Sequence, residues 1–225
     1  MALTDPDIPS AQLLKILELL PDEVEEAIRG LDESAIDRSR AEGSWTIREI
    51  VHHIVDSASM ATNAIRVAIA TPGSRYDQSW YDMTNRWAET LHYRLRSIAP
   101  SLHLFRANCE YLIEMLQRAD APWEKEVVVC TERNPEGKSV GVRYMVRGMA
   151  WHVRHHCEQI GETRAVVGSW RSQTEYGEAD RGASRLFDGS GLCERIESDV
   201  VIQHRGDSIL VHVDRRSCPH RQVRR

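Results

Sequence analysis

Apolar positions recur at helical spacing through most of the first 170 residues. Leu13, Leu14, Ile16, Leu17, Leu19 and Leu20 follow Ser10, a candidate N-cap. Pro21 suits the first turn of a further helical stretch to about Leu31, so this segment is one kinked helix or two. Thr46 and Glu49 have the spacing of a capping box. Behind them Ile47, Ile50, Val51, Ile54, Val55, Ala58, Ala61, Ile65, Ala68 and Ile69 trace one face until Pro72-Gly73. Leu102, Phe105, Cys109, Leu112, Ile113 and Leu116 predict a third helix from about Ser101 to Ala119, with Pro100 before it and Pro122 after it. A fourth segment runs from about Ser139 through Ala165 and ends at Gly168.

Four long amphipathic segments joined by short and long connections describe an all-α fold, a four-helix bundle. Between the last two helices, Glu126-Val127-Val128-Val129-Cys130 is β-like and Asn134-Pro135-Glu136-Gly137 has turn chemistry, which predicts a small hairpin or extended crossover. In the segment from Arg75 to Ala99, Trp80, Trp87, Leu91 and Leu95 could pack as an extra helix. The organisation expected is therefore a bundle over 1–170 and a C-terminal extension over 171–225. In that extension Val200–His204 and Ile209–Val213 read as a β-hairpin around Arg205–Ser208. A lone hairpin is marginal in water, so it must dock, dimerise or be disordered.

Charge changes the picture in one respect. Twenty-nine basic residues against 34 acidic ones give a net charge of −5, which opposes a general affinity for nucleic acid. The extension has ten Arg, no Lys and nine acidic residues, so the acidity belongs to the bundle. No apolar run approaches the roughly 18 residues of a membrane span. The first ten residues, MALTDPDIPS, have neither part of a secretory leader, and a cytoplasmic protein is expected. Five scattered cysteines form no C-x-x-C pair, and reduced thiols are expected.

The candidate chemistry lies in the histidines. His52 and His53 stand on the capped helix, and His152, His155 and His156 on the last one. Residues four apart on a helix differ in direction by about 40°, so His152 and His156 can aim at one point. A third imidazole from His52 or His53 would complete a three-histidine metal site with a position open for water or substrate. Either half alone is a common pattern without function; together, on two helices, they favour a site. The register favours His53, which shares a face with Ile50, Ser57 and Ala61, with Asp56 three residues on as a carboxylate to orient it. His155 lies about 100° from His156 and is not expected to be a ligand.

Gly43-Ser44-Trp45-Thr46-Ile47-Arg48-Glu49-Ile50-Val51-His52-His53-Ile54-Val55-Asp56-Ser57, then Tyr76-Asp77-Gln78-Ser79-Trp80, then Trp151-His152-Val153-Arg154-His155-His156-Cys157-Glu158-Gln159-Ile160 resembles the YfiT-like branch of the DinB superfamily. Asn134-Pro135-Glu136-Gly137 also looks like that branch's His-Pro-Glu crossover, with Asn134 where relatives commonly have His. The resemblance spans roughly residues 10 to 168. It implies a four-helix bundle with a three-histidine divalent metal site, zinc or nickel, and a homodimer. Carried over, the ligands are His53 in the H-x-x-D motif and His152 and His156 as first and last of H-x-x-H-H. It also implies metal-dependent hydrolysis or thiol S-transfer with a small thiol such as bacillithiol or mycothiol. Further departures are the loosely aligned 75–99 region, Cys157 beside a ligand, and the extension.

Three neutral imidazoles would leave the charge of a divalent ion largely uncompensated, favouring hydroxide, thiolate or carboxylate in the open position. The expected activity is thus attack by an activated water or small thiol on a small electrophilic substrate. The alternative is a non-catalytic, metal-stabilised bundle acting as a binding or interaction module. No general base is evident, because Glu158 lies about 120° from His152 and about 160° from His156. Cys157 is expected to be a buried small residue and Arg154 an exposed helical one, while Trp45, Trp80 and Trp151 are candidate pocket walls.

Overall fold

The computed structural model describes residues 8–81, 86–177, 200–204 and 207–211. Four long helices make the bundle: α1 (Ser10–Ile28), α3 (Ile47–Ala70), α5 (Ala99–Arg118) and α6 (Val142–Gly177). α1 packs on α6 and α5, and α3 packs on the same two, so the order around the bundle is α1, α6, α3, α5. α3 and α6, the two histidine-bearing helices, are thereby neighbours.

α1 runs unbroken through the buried Pro21, which settles the choice between one helix and two. Its N-cap is Pro9 rather than Ser10, whose hydroxyl instead accepts from Arg143 Nη2 at 2.9 Å. α3 begins as its sequence requires. Thr46 Oγ1 accepts from Glu49 N, and the Glu49 carboxylate accepts from Thr46 N at 2.8 Å, which satisfies two helix-end donors at once. Ahead of it, the short α2 (Glu33–Ile36) is tied to α3 through the buried Arg48, which donates to Glu33, to Asp37 at 2.6 Å and to the carbonyl of Arg96 at 3.0 Å.

The segment after α3 departs from the expected extra helix. It holds β1 (Arg75–Asp77), the five-residue α4 (Arg86–Thr90) and a 3-10 turn at Tyr93–Leu95. Ala88 and Tyr93 are its buried anchors, whereas Trp80 is 53% and Leu95 83% exposed. Small and aromatic side chains hold this connection down, and the pattern of large apolar residues misleads.

The crossover is a three-stranded sheet in the order β1, β2 (Glu126–Thr131), β3 (Asn134–Gly141), with β1 parallel and β3 antiparallel to β2. Thr131 pairs with Asn134, so the turn is Glu132-Arg133, and Asn134-Pro135-Glu136-Gly137 lies within β3. Gly137 marks a bulge at φ +84°. A Cβ there would come within 2.6 Å of Val128 Cγ1, which is why glycine occupies it. α6 starts at Val142, after the expected Ser139, and continues to Gly177, past the expected end at Gly168.

Residue contacts divide the chain into Met1–Arg181 and Gly182–Arg225. The second unit contains the expected antiparallel hairpin, β4 (Val200–His204) with β5 (Asp207–Val211), its second strand starting two residues earlier than expected. The remainder of the expected extension beyond Gly177 lies outside the described residues.

Candidate metal centre

The capping box sets where α3 starts, and therefore which residues face its neighbours. Seven residues beyond Thr46, about two turns, the register turns His53 toward α6. His152 and His156, one turn apart on α6, meet it. Nε2 of His53 lies 3.1 Å from Nε2 of His152, which lies 3.1 Å from Nε2 of His156. The ring centroids are 4.4 to 5.0 Å apart, and the planes cross at 64° to 84°. Among the described residues these three form the group able to hold a metal ion, their donor atoms lying within 4.8 Å of one another.

The donor set fits such an ion. Nitrogens around a tetrahedral zinc sit about 3.3 Å from each other when Zn–N is about 2.0–2.1 Å. Two bare lone pairs at 3.1 Å repel, so a proton or a cation must lie between them. A hydrogen on His152 Nε2 shared between its two neighbours answers this, and so does a central ion bonded to all three nitrogens. Burial also keeps the rings neutral and ready to ligate: it pushes His53 down to about 3 and His156 down to about 4, and holds His152 well below its usual value.

Around this cluster, the Trp45 ring meets His53 edge-on at 4.6 Å and stacks on His156 at 6.4 Å. Gln159, one turn past His156, places Oε1 2.9 Å from His156 Nδ1 and Nε2 3.0 Å from His155 Nε2. Its i+3 spacing from His156 was visible in the sequence, but a helical glutamine carries no signal by itself. His155 stacks flat on Trp151, with centroids 5.3 Å apart and 3° between planes. It belongs to this outer layer and not to the donor group, as its direction on the helix implies.

His52 points elsewhere. It is 1% exposed, packs on Tyr93 at 5.2 Å with the rings tilted by 41°, donates from Nε2 to the Arg96 carbonyl at 3.3 Å and accepts at Nδ1 from Ser101 at 2.9 Å. It is a satisfied core histidine. Asp56 corrects the expectation that it orients His53: its carboxylate accepts from the Tyr93 hydroxyl, and no His53–Asp56 hydrogen bond exists among the described residues. Nor is Arg154 an exposed cation. It is half-buried and grips Glu23 of α1 with two bonds of 2.7 and 2.8 Å. Glu158 is exposed, as expected, while Cys157 is half-buried, and burial pushes its thiol up to about 11. Of the three candidate tryptophan walls, Trp45 borders the donor rings; Trp80 stacks on Trp87 at 5.8 Å, and Trp151 backs His155.

A bundle with this histidine arrangement invites comparison with known proteins. The DinB superfamily profile matches residues 16–160, well over half of the chain. The chain belongs to the DinB superfamily. It is 31% identical over 153 residues to a Bacillus mycoides protein named "Putative metal-dependent hydrolase", covering 66% of this chain and 81% of that one. An Oceanobacillus iheyensis protein of the same name is 29% identical over 147 residues, covering 64% and 79%. Among solved structures, this DinB chain is similar in fold to YfiT from Bacillus subtilis, described as "a probable metal-dependent hydrolase with an unusual four-helix bundle topology". The TM-score is 0.62 at 19% identity, with 70% of this chain and 87% of that chain covered. A mycothiol-dependent maleylpyruvate isomerase has TM-score 0.53 at 16–17% identity, with 69% of this chain and 62% of that one covered. No helix among the described residues is long and apolar enough to cross a membrane.

Proposed function

We propose that this protein is a metal-dependent enzyme in which His53, His152 and His156 ligate a zinc or nickel ion. Its nucleophile is the sulfur of a low-molecular-weight thiol of the bacillithiol or mycothiol type, and its target a small electrophile. The observation that carries this reading is the convergence of three neutral Nε2 donors, those of the buried His53 and His156 and the half-buried His152, with no carboxylate among them. When bound, the ion would lower the pKa of a water or thiol in its remaining position and so supply a nucleophile at neutral pH.

The chain's own contribution is to tie up the neighbouring carboxylates. Glu49 is occupied by Thr46 and Arg94, Asp56 by Tyr93, and Glu23 by Arg154, so none of these carboxylates is free to neutralise the centre or to take a proton from water. Thiol attack suits such a site, because a thiol starts near a pKa of about 8.5 and ionises there without a general base. Trp45 provides an apolar wall beside His53 and His156 for the carbon part of either reactant.

Hydrolysis is the second reading, favoured by the names that the relatives carry. Monochlorobimane consumption by the metal-loaded protein, with and without a small thiol, separates the two. Thiol-dependent consumption that is lost in His152→Ala supports transfer; cleavage of ester or amide substrates without any thiol supports hydrolysis. A protein that binds the ion and does neither would be the non-catalytic module.

A further inference from the structure

Gln159 sits where a metal-ligating histidine commonly meets a carboxylate or carbonyl, and the way its amide faces sets the hydrogen-bond order around it. Its amide nitrogen only donates and its amide oxygen only accepts. With Nε2 3.0 Å from His155 Nε2, that imidazole nitrogen must accept, so His155 carries its ring hydrogen on Nδ1. With Oε1 2.9 Å from His156 Nδ1, that nitrogen must donate, so Nε2 of His156 presents a lone pair to His152 and His53. The reversed amide would turn its NH2 group toward His156 Nδ1 and put the ring hydrogen on Nε2, where it would occupy the lone pair that a metal ion needs. His155 lies flat on the Trp151 indole, which places its Nε2 beside the amide.

We propose that Gln159 is a positioning residue: oriented by His155 against Trp151, it fixes His156 in the tautomer whose Nε2 can ligate. This rests on the three-histidine metal site for its purpose, though not for its geometry. The amide does the orienting work of a carboxylate without bringing a charge, so it keeps a bound divalent ion strongly electrophilic. A glutamate at the same place would orient the ring equally well and weaken the ion's hold on the acidity of its remaining ligand.

Long-range 1H–15N NMR of the metal-free protein reads the tautomer directly, and zinc titration against a chromophoric chelator reads the affinity. The parent should show His156 protonated at Nδ1. Gln159→Leu should lose that preference and bind zinc about ten- to hundredfold more weakly. Gln159→Glu should bind at least as tightly as the parent, with its thiol-consumption profile moved to higher pH. His155→Leu should show an intermediate loss of affinity. The proposal is overturned if the parent carries the hydrogen on Nε2, or if folded Gln159→Leu binds zinc within twofold of the parent. Should the parent take up no zinc, the ligand assignment fails, and the tautomer measurement alone upholds or overturns the role of Gln159.

Discussion

Tyr93 donates its hydroxyl to Asp56, the carboxylate one turn beyond His53 on α3. The bond joins the connection between β1 and α5 to the bundle, and it takes up the acidic group that the sequence suggests as a partner for His53. Asp56→Asn should therefore leave zinc affinity within about threefold of the parent, well short of the about 10- to 100-fold expected for a partner of a ligating histidine. Tyr93→Phe should lower stability by about 1–3 kcal/mol, because the half-buried carboxylate loses its donor. Thermal melts and zinc titrations of both variants check this; a large affinity loss in Asp56→Asn would restore the carboxylate to the metal site.

Tyr93 and Tyr81, a second tyrosine near Asp56, make the protein sensitive to alkali. Burial pushes Tyr81 up to about 12, and burial followed by the Asp56 hydrogen bond raises Tyr93 further from its usual 10. Above pH 10 an unfolded chain has released these protons while the folded chain still holds them. Stability supplied by the two hydroxyls is thus whole below pH 10 and is lost as pH rises toward 12. Absorbance at 295 nm should show at least two of the tyrosines ionising late, together with unfolding. Tyr93→Phe should remove part of that alkaline dependence, and titration of every tyrosine near pH 10 without unfolding would contradict the packing described.

Cys157 adjoins a donor histidine in sequence, yet its thiol is pushed up to about 11 by burial and by Glu23. It should be alkylated slowly at pH 8, and Cys157→Ser should keep zinc affinity and thiol-dependent turnover within about twofold. Peptide mapping after iodoacetamide treatment, with the assay beside it, tests this. Loss of turnover in the serine variant would make the protein's own cysteine, and not an added thiol, the source of sulfur.

How much of this was legible in the sequence follows from how local each feature is. The Thr46–Glu49 box and the i, i+4 pair His152 and His156 are set by helix geometry within a few residues, and the structure has both as read. His53 is preferred over His52 for the face it shares with Ile50, Ser57 and Ala61, and the two differ by one residue and hence by about 100°. Tertiary competition decided the rest. Asp56 faces a tyrosine 37 positions away, Arg154 finds Glu23 across the bundle, and the Arg75–Ala99 region is organised by Ala88 and Tyr93 under exposed tryptophan and leucine. Asn134-Pro135-Glu136-Gly137 has turn composition but is drawn into β3, with Gly137 absorbing the mismatch as a bulge.

The central claim is that three imidazoles from α3 and α6 hold one divalent ion, and the most direct measurement is the metal stoichiometry of purified untagged protein with its zinc affinity, compared among the parent, His53→Ala, His152→Ala and His156→Ala. The account predicts one ion per parent chain and a loss of affinity of at least about 100-fold in each variant that circular dichroism shows to be folded. Variants that bind zinc as tightly as the parent would contradict it.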